Sequence, residues 1–283
     1  MKKIKALIDL IRPPGAVHIF PFAICGAYWC IGKGETPDLF RLFLLCLALV
    51  CGFYAGNCIN GMTDIKIDEI NPRTLTRPLV TGALKIWEAL AFAVLCLALV
   101  VICAFVLNPI YVLLPPIPVG IGIFYSFSKR FTALCHCFLG LTSGVAPVSA
   151  WIVFGNWLDP RLLLAGAIAF FHTVGYDTIY STADVEYDKE KGMHSIPVAF
   201  GIQGAYRIAF ICYLFTLGCG IALGIAIGAG WLYYLGLALA EPILLIQFRW
   251  IKSGQKEDIL RAFLVNKYYG IVLMVFTLLD HYI

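Results

Sequence analysis

Charge is what this sequence has least of. Asp, Glu, Lys and Arg together make up 13% of the 283 residues, about half the share of an ordinary soluble domain. That scarcity excludes a chain whose surface is mostly wetted. No soluble domain or low-complexity tail is evident, and no cleavage-like site follows the opening MKKIKALIDLIRPP, so a cleavable signal peptide is not expected. Cysteine is present, but its functional patterns are missing. The count of eleven is odd, there is no CxxC, and the nearest pair, Cys135 and Cys137 around His136, lacks a second half-site. A complete disulfide framework is thereby excluded, and the cysteines read as small, polarizable packing groups.

Apolar sequence is abundant. Hydrophobic residues reach 61% and mean hydropathy is +0.86. Runs of about 20 apolar residues recur along the chain, the length needed to cross the hydrocarbon core as helix. The expectation is an all-α membrane protein, a single domain over residues 1–283, with about nine transmembrane helices near 16–33, 39–60, 87–107, 109–127, 132–154, 161–183, 205–229, 231–249 and 261–281. With the N-terminus in the cytoplasm, only Lys33, Arg41 and Arg161 lie near the outer side, and the other 18 of the 21 Lys and Arg fall on the inner side. The positive-inside rule therefore places the N-terminus in and the C-terminus out. Topology and attraction to anionic lipid headgroups account for the net charge of +4, so it does not call for a nucleic-acid partner.

The stretch NGMTDIKIDEINPRTLTRPLVTG, residues 60–82, organises the rest. Asn60, Asp64 and Asp68 recur at i, i+4 and i+8, which on a helix stacks three oxygen ligands on one face. A solvated acidic helix face would show the same spacing. Hard oxygens at the membrane edge, with Arg73 and Arg77 just behind, favour a Mg²⁺ site. A second acidic stretch, DTIYSTADVEYD, closes a later apolar run. It repeats the i, i+4 pair as Asp184 and Asp188, with Asp177 inside the span and Tyr176 and Tyr180 on adjacent turns. A carboxylate within a span is a functional hypothesis by default.

Mg²⁺ held by few carboxylates commonly has substrate phosphates completing its shell. Arg73, Arg77, Lys129 and Arg130 bracket the carboxylates on inner loops, and arginine forks match phosphate oxygens. Phe53, Tyr54, Phe124, Tyr125, Phe170 and Phe171 stand near span ends on the same side. Each serves equally as a packing aromatic, and together their ring faces suit a carbocation. Carboxylates, metal, diphosphate and arginine together are what ionising a diphosphate ester requires.

Over nearly its whole length the chain resembles the UbiA family of intramembrane prenyltransferases. The family's NDxxDxxxD and RTxxRPL pattern is met by NGMTDIKID and RTLTRPLVTG. Its YDxxY, DxxxD and Gly–x–x–Ser pattern is met by YDTIYSTADVEYD and KGMHSIPVAFG, and its YxxxKRxT element by Tyr125, Lys129, Arg130 and Thr132. The resemblance implies a nine-helix bundle with a cytoplasmic cap and Mg²⁺-dependent transfer of a prenyl group from its diphosphate to an aromatic acceptor. It further implies that Asn60, Asp64, Asp68, Asp184 and Asp188 hold metal and diphosphate. Arg12, Arg73, Arg77, Tyr125, Lys129 and Arg130 then bind phosphate, while Asp177 and Tyr180 shape the reacting centre. Gly61 departs from the pattern, standing where the family commonly has Asp.

The acceptor expected from this resemblance is 4-hydroxybenzoate or a related hydroxy-aromatic acid of quinone biosynthesis. Pro13–Pro14–Gly15 replace the Asp–Lys usual in the 4-hydroxybenzoate branch, so a dihydroxynaphthoate or another lipid-forming acceptor stays open. A membrane terpene cyclase and a cation- or proton-coupled transporter are the rival readings. The carboxylates gather at one membrane edge, Asp177 excepted, which favours a one-sided enzyme. Glu241, beside Pro242, is the feature a transporter would retain. A prokaryotic plasma membrane, with the site on the cytoplasmic side, is the expected location.

Overall fold

The structure, a computed structural model, describes residues 2–70 and 74–283. Among these there is no strand. Among the described residues, nine helical segments are long and apolar enough to cross a membrane: α1 (Lys2–Cys30), α2 (Leu39–Thr63), α3 (Ile86–Leu107), α4 (Pro109–Ser128), α5 (Cys135–Phe154), α6 (Arg161–Glu190), α7 (Ile196–Ile227), α8 (Trp231–Ser253) and α9 (Lys256–Tyr282). Helix is the form in which a single lipid-bound segment pairs all its own backbone groups.

Two helices start well before their expected positions, each for a local reason. In α1 the first ten residues form an amphipathic helix that buries Ala6, Leu10 and Ile11 and exposes its lysines. It stops at Arg12, whose φ of 51° lies in the left-handed region and whose successors are two prolines, the first placed where helix is disfavoured before it. α7 begins at Ile196 instead of 205 because the glycines of VAFGIQG do not end it. Gly201, at φ 72°, only kinks it.

The chain forms two compact units, one of residues up to Val17 and Phe43–Phe127, the other of His18–Leu42 and Ser128–Ile283. In the first unit, Cys51, Ala55 and Cys58 of α2 and Ala89, Ala93, Cys96 and Val100 of α3 join Leu10, Ile11, Leu79 and Leu84 in one apolar cluster. These small residues recur at three- and four-residue steps and let the helices approach closely. The other face of α3, with Trp87, Leu90, Val94 and Leu95, is exposed and suits lipid. All eleven cysteines are free.

In the second unit α6 is the most enclosed span and packs between α5 and α7. Glycine makes the approach possible. A Cβ at Gly144 of α5 would lie 3.1 Å from the Gly166 carbonyl oxygen of α6, and one at Gly175 would meet the Tyr213 ring of α7 at 2.4 Å. A buried polar link ties α7 to α8 and α9: Tyr213 donates to Gln247 Oε1 at 3.1 Å, and Gln247 Nε2 donates to Asn266 Oδ1 at 2.8 Å. Glu241 is also buried, and its Oε1 has no hydrogen-bond partner among the described residues.

Candidate active site

The first acidic motif lies at the end of α2. The Asp64 N–H donates to Asn60 O at 3.0 Å and the Asp68 N–H to Asp64 O at 2.8 Å, so the three residues occupy successive turns as their spacing predicts. The helix is interrupted at Asp64 itself (φ −96°, ψ 0°) and resumes over Ile65–Asp68. Asn60 and Asp64 are half-buried, and Asp68 is only 4% exposed.

TLTRPLVTG, residues 74–82, is the clasp that makes burial of Asp68 tolerable. Thr74 Oγ1 donates to the Asp68 carbonyl at 3.0 Å. Arg77 Nη1 donates to Asp68 Oδ2 at 2.5 Å, while the Arg77 N–H closes a turn on Thr74 O at 2.9 Å. One threonine and one arginine three residues apart thus bind the main chain and side chain of the same aspartate. A guanidinium paired this way keeps further N–H donors for a second anion. Arg73 lies outside the described residues. Arg12 is exposed, and Tyr125 is half-buried near the end of α4.

The side-chain direction at Gly61 faces apolar neighbours. A Cβ there would stand 2.7 Å from Leu10 Cδ1 and 3.3 Å from Leu79 Cδ1. In this chain the position serves packing of the first unit.

The second motif lies where α6 leaves its regular helix. Asp177 sits within the Arg161–Ser181 stretch, Asp184 at the end of a 3₁₀ turn, and Asp188 in the short helix Val185–Glu190. Asp177 is 9% and Asp188 3% exposed, whereas Asp184 and Tyr180 are half-buried. Lys129 Nζ stands 3.8 Å from Asp188 Oδ2, an oxygen that has no hydrogen-bond partner among the described residues. Burial disfavours the Lys129 ammonium, but Asp188, Asp177, Cys135 and Asp184 outweigh it and hold its pKa above the ordinary lysine value. Arg130 is exposed beside it.

The KGMHSIP segment knits this arrangement together. Met193 N–H donates to Asp188 O at 2.8 Å, and His194 N–H donates to Lys129 O at 2.7 Å. Further along, an aromatic wall runs down the α6 face. Tyr180 and Tyr176 lie against Phe263 of α9, with centroids 4.5 and 5.6 Å apart, and His172 stacks on Tyr269 at 4.7 Å.

Sequence reasoning passed over two of these residues. His136, noticed only as the neighbour of two cysteines, is fully buried with Nδ1 2.6 Å from Asp177 Oδ2. His172 is also buried. The signal was available, since an ionisable group inside an apolar span was the reason for singling out Asp177.

The comparisons with known proteins bear on the family and the fold. The profile of the UbiA prenyltransferase family matches residues 19–271. The 4-hydroxybenzoate octaprenyltransferase of Hydrogenovibrio crunogenus is 30% identical over 99% of this chain and 98% of its own. That of Pseudoalteromonas translucida is 29% identical over 95% and 91%. Among solved structures, a UbiA homologue from Aeropyrum pernix superposes with a TM-score of 0.84 at 27% identity, covering 94% of this chain and 98% of that one. A UbiA homologue from Archaeoglobus fulgidus, bound to GPP and Mg²⁺, shares the fold with a TM-score of 0.67 at 20% identity over 96% and 97%. By the family model and the relatives, this membrane-spanning helical chain is a prenyltransferase, and it belongs to the UbiA family.

Proposed function

We propose that the chain transfers a prenyl group from a polyprenyl diphosphate to an aromatic hydroxy acid of quinone biosynthesis, 4-hydroxybenzoate or a related ring, with Mg²⁺ as cofactor. One observation carries this reading. Each acidic motif buries an aspartate beside a cation suited to phosphate, Asp68 with Arg77 and Asp188 with Lys129. The acceptor follows the names of the relatives, and the metal and diphosphate follow the Archaeoglobus fulgidus homologue.

The donor set fits Mg²⁺. Every proposed ligand is a hard oxygen, and Asp188 Oδ2 is buried without a hydrogen-bond partner among the described residues. Those residues contain no cluster of three or more His, Cys, Asp or Glu able to cage an ion. A carboxylate pair is the kind of Mg²⁺ site that substrate phosphates complete. Asn60, Asp64, Asp68, Asp184 and Asp188 are the residues proposed to hold the ion, which when bound neutralises charge growing on the departing diphosphate.

The chain's own groups do the rest. Arg77 offers phosphate the N–H groups that Asp68 leaves over, and Lys129 adds a point charge. Arg12, Arg73, Tyr125 and Arg130 complete the diphosphate contacts, while Asp177 and Tyr180 shape the reacting centre. The C–O bond to the diphosphate breaks with its electron pair leaving on oxygen. The allylic carbon then bonds to a ring carbon of the acceptor, and that carbon's proton is lost to a base. The site works from the cytoplasmic face of a bacterial plasma membrane, with the N-terminus inside.

The test is turnover of purified protein with geranyl diphosphate, Mg²⁺ and a panel containing 4-hydroxybenzoate and a dihydroxynaphthoate. A ring-prenylated product that disappears with EDTA supports the reading and names the acceptor. Diphosphate release without any adduct would indicate cyclase chemistry instead.

A further inference from the structure

His136 and Asp177 form a dyad that the two aspartate motifs do not account for. His136, the second residue of α5, has no exposed surface. Its Nδ1 lies 2.6 Å from Asp177 Oδ2. The other ring nitrogen, Nε2, lies 3.4 Å from the backbone nitrogen of Ile196, the first residue of α7. An N–H in the first turn of a helix has no carbonyl partner within that helix. A backbone N–H can only donate, so Nε2 accepts, and the ring proton resides on Nδ1. Ser181 Oγ, 3.5 Å from Nε2, donates to Thr178 O at 2.9 Å and leaves this assignment intact. The chain of donors therefore runs from Ile196 N–H to His136 and from His136 Nδ1–H to the Asp177 carboxylate.

Such a chain fixes a carboxylate in orientation. One oxygen of Asp177, Oδ2, is committed to His136, on the stretch of α6 that also carries Tyr176 and Tyr180. Elements distant in sequence impose this geometry: α5 supplies the ring, α6 the carboxylate, and the start of α7 the group that sets the tautomer. Charge-assisted hydrogen bonds of this length are among the stronger and more directional in proteins.

We infer that His136 is a positioning residue for prenyl transfer, holding the Asp177 carboxylate in one orientation toward the acceptor through its Nδ1–H; this rests on the reading that places Asp177 at the reacting centre. His136 need touch neither diphosphate nor metal to do so. Its loss should lower kcat and leave KM for the prenyl diphosphate nearly unchanged.

The experiment compares wild type with His136→Leu, His136→Asn and His136→Gln in membranes or nanodiscs, measuring kcat, KM for geranyl diphosphate and thermal stability. An Asn amide nitrogen occupies the place of Nδ1, whereas a Gln amide nitrogen reaches the place of Nε2. The expected result is a fall in kcat of about 100-fold for Leu and Gln, the size of loss that follows a small misplacement of reacting groups. Asn should recover most of that rate, and His136→Leu should add nothing in an Asp177→Asn background. Equal activity of Asn and Gln, with rates that follow melting temperature, would overturn the inference by showing a structural role alone. Should His136→Leu fail to fold, the Asn and Gln pair decides it. A wild type that prenylates no acceptor would instead sink the underlying reading, so the two failures are distinguishable.

Discussion

Lys129 Nζ lies 3.8 Å from Asp188 Oδ2, near enough for ion pairing and too far for a hydrogen bond. Asp188 is buried and the lysine half-buried, so each group stays available to a further partner. Because nearby carboxylates raise the Lys129 pKa over the opposing effect of burial, its stabilising contribution is fully present below the unfolded lysine pKa of about 10.4. It is lost only as pH rises through the still higher folded value. Melting of the protein in EDTA should therefore show no Lys129-dependent change between neutral pH and about pH 9. At stronger alkalinity wild type should lose stability more steeply than Lys129→Met. Parallel curves for the two proteins would contradict this.

Arg77 should tolerate no replacement without loss of activity. Arg77→Ala leaves the Asp68 carboxylate buried without its guanidinium, and breaking a buried pair in this way costs about 3–5 kcal/mol when it is fully enclosed. The side chain of Arg77 is 26% exposed, so the loss should fall below that range. Arg77→Lys restores the charge without the fork. It should recover stability better than activity, with kcat/KM remaining down by about 100-fold. Equal recovery of both would argue that Arg77 serves Asp68 only.

Restoring the family's aspartate at residue 61 should harm the protein. Its Cβ would press on Leu10 and Leu79, both members of the apolar cluster of the first unit, and overpacking of that kind costs about 1–3 kcal/mol. Gly61→Asp should melt earlier and require no less Mg²⁺ for half-maximal activity. A lower Mg²⁺ requirement would show that the carboxylate reaches the metal after all.

His172 offers a change in the opposite direction. Both ring nitrogens are buried without hydrogen-bond partners among the described residues, while the ring stacks on Tyr269 and lies against Phe22 and Tyr176. His172→Phe keeps the shape and removes the orphaned polar atoms, each of which costs about 1–3 kcal/mol. The variant should melt several degrees higher in detergent. A lower melting temperature would mean that the imidazole has a polar partner in the membrane.

Much of this was legible in the chain because membranes simplify the problem. Long apolar runs admit only helix, so six of the nine spans, α2–α6 and α8, start within three residues of expectation. Periodicity likewise put Asn60, Asp64 and Asp68 on successive turns. The amphipathic start of α1 was hidden because its lysines read as flanking charge, and the start of α7 because Gly201 looks like a terminator and acts as a kink. The His136–Asp177 dyad joins distant residues through tertiary geometry, and the short-range Thr74–Asp68–Arg77 clasp depends on a non-helical turn. No local pattern reveals such pairings, although the burial of His136 in an apolar span was a clue.

Mg²⁺-dependent prenyl transfer should need the carboxylates of both motifs. Single-turnover formation of prenylated 4-hydroxybenzoate, in wild type, Asp64→Ala, Asp184→Ala and the double variant, tests it most directly. Residues that act as a unit lose function together, so each single substitution should cost nearly as much as the pair. Near-wild-type rates in either single variant, from protein that is folded and membrane-inserted, would contradict a shared role for the two motifs.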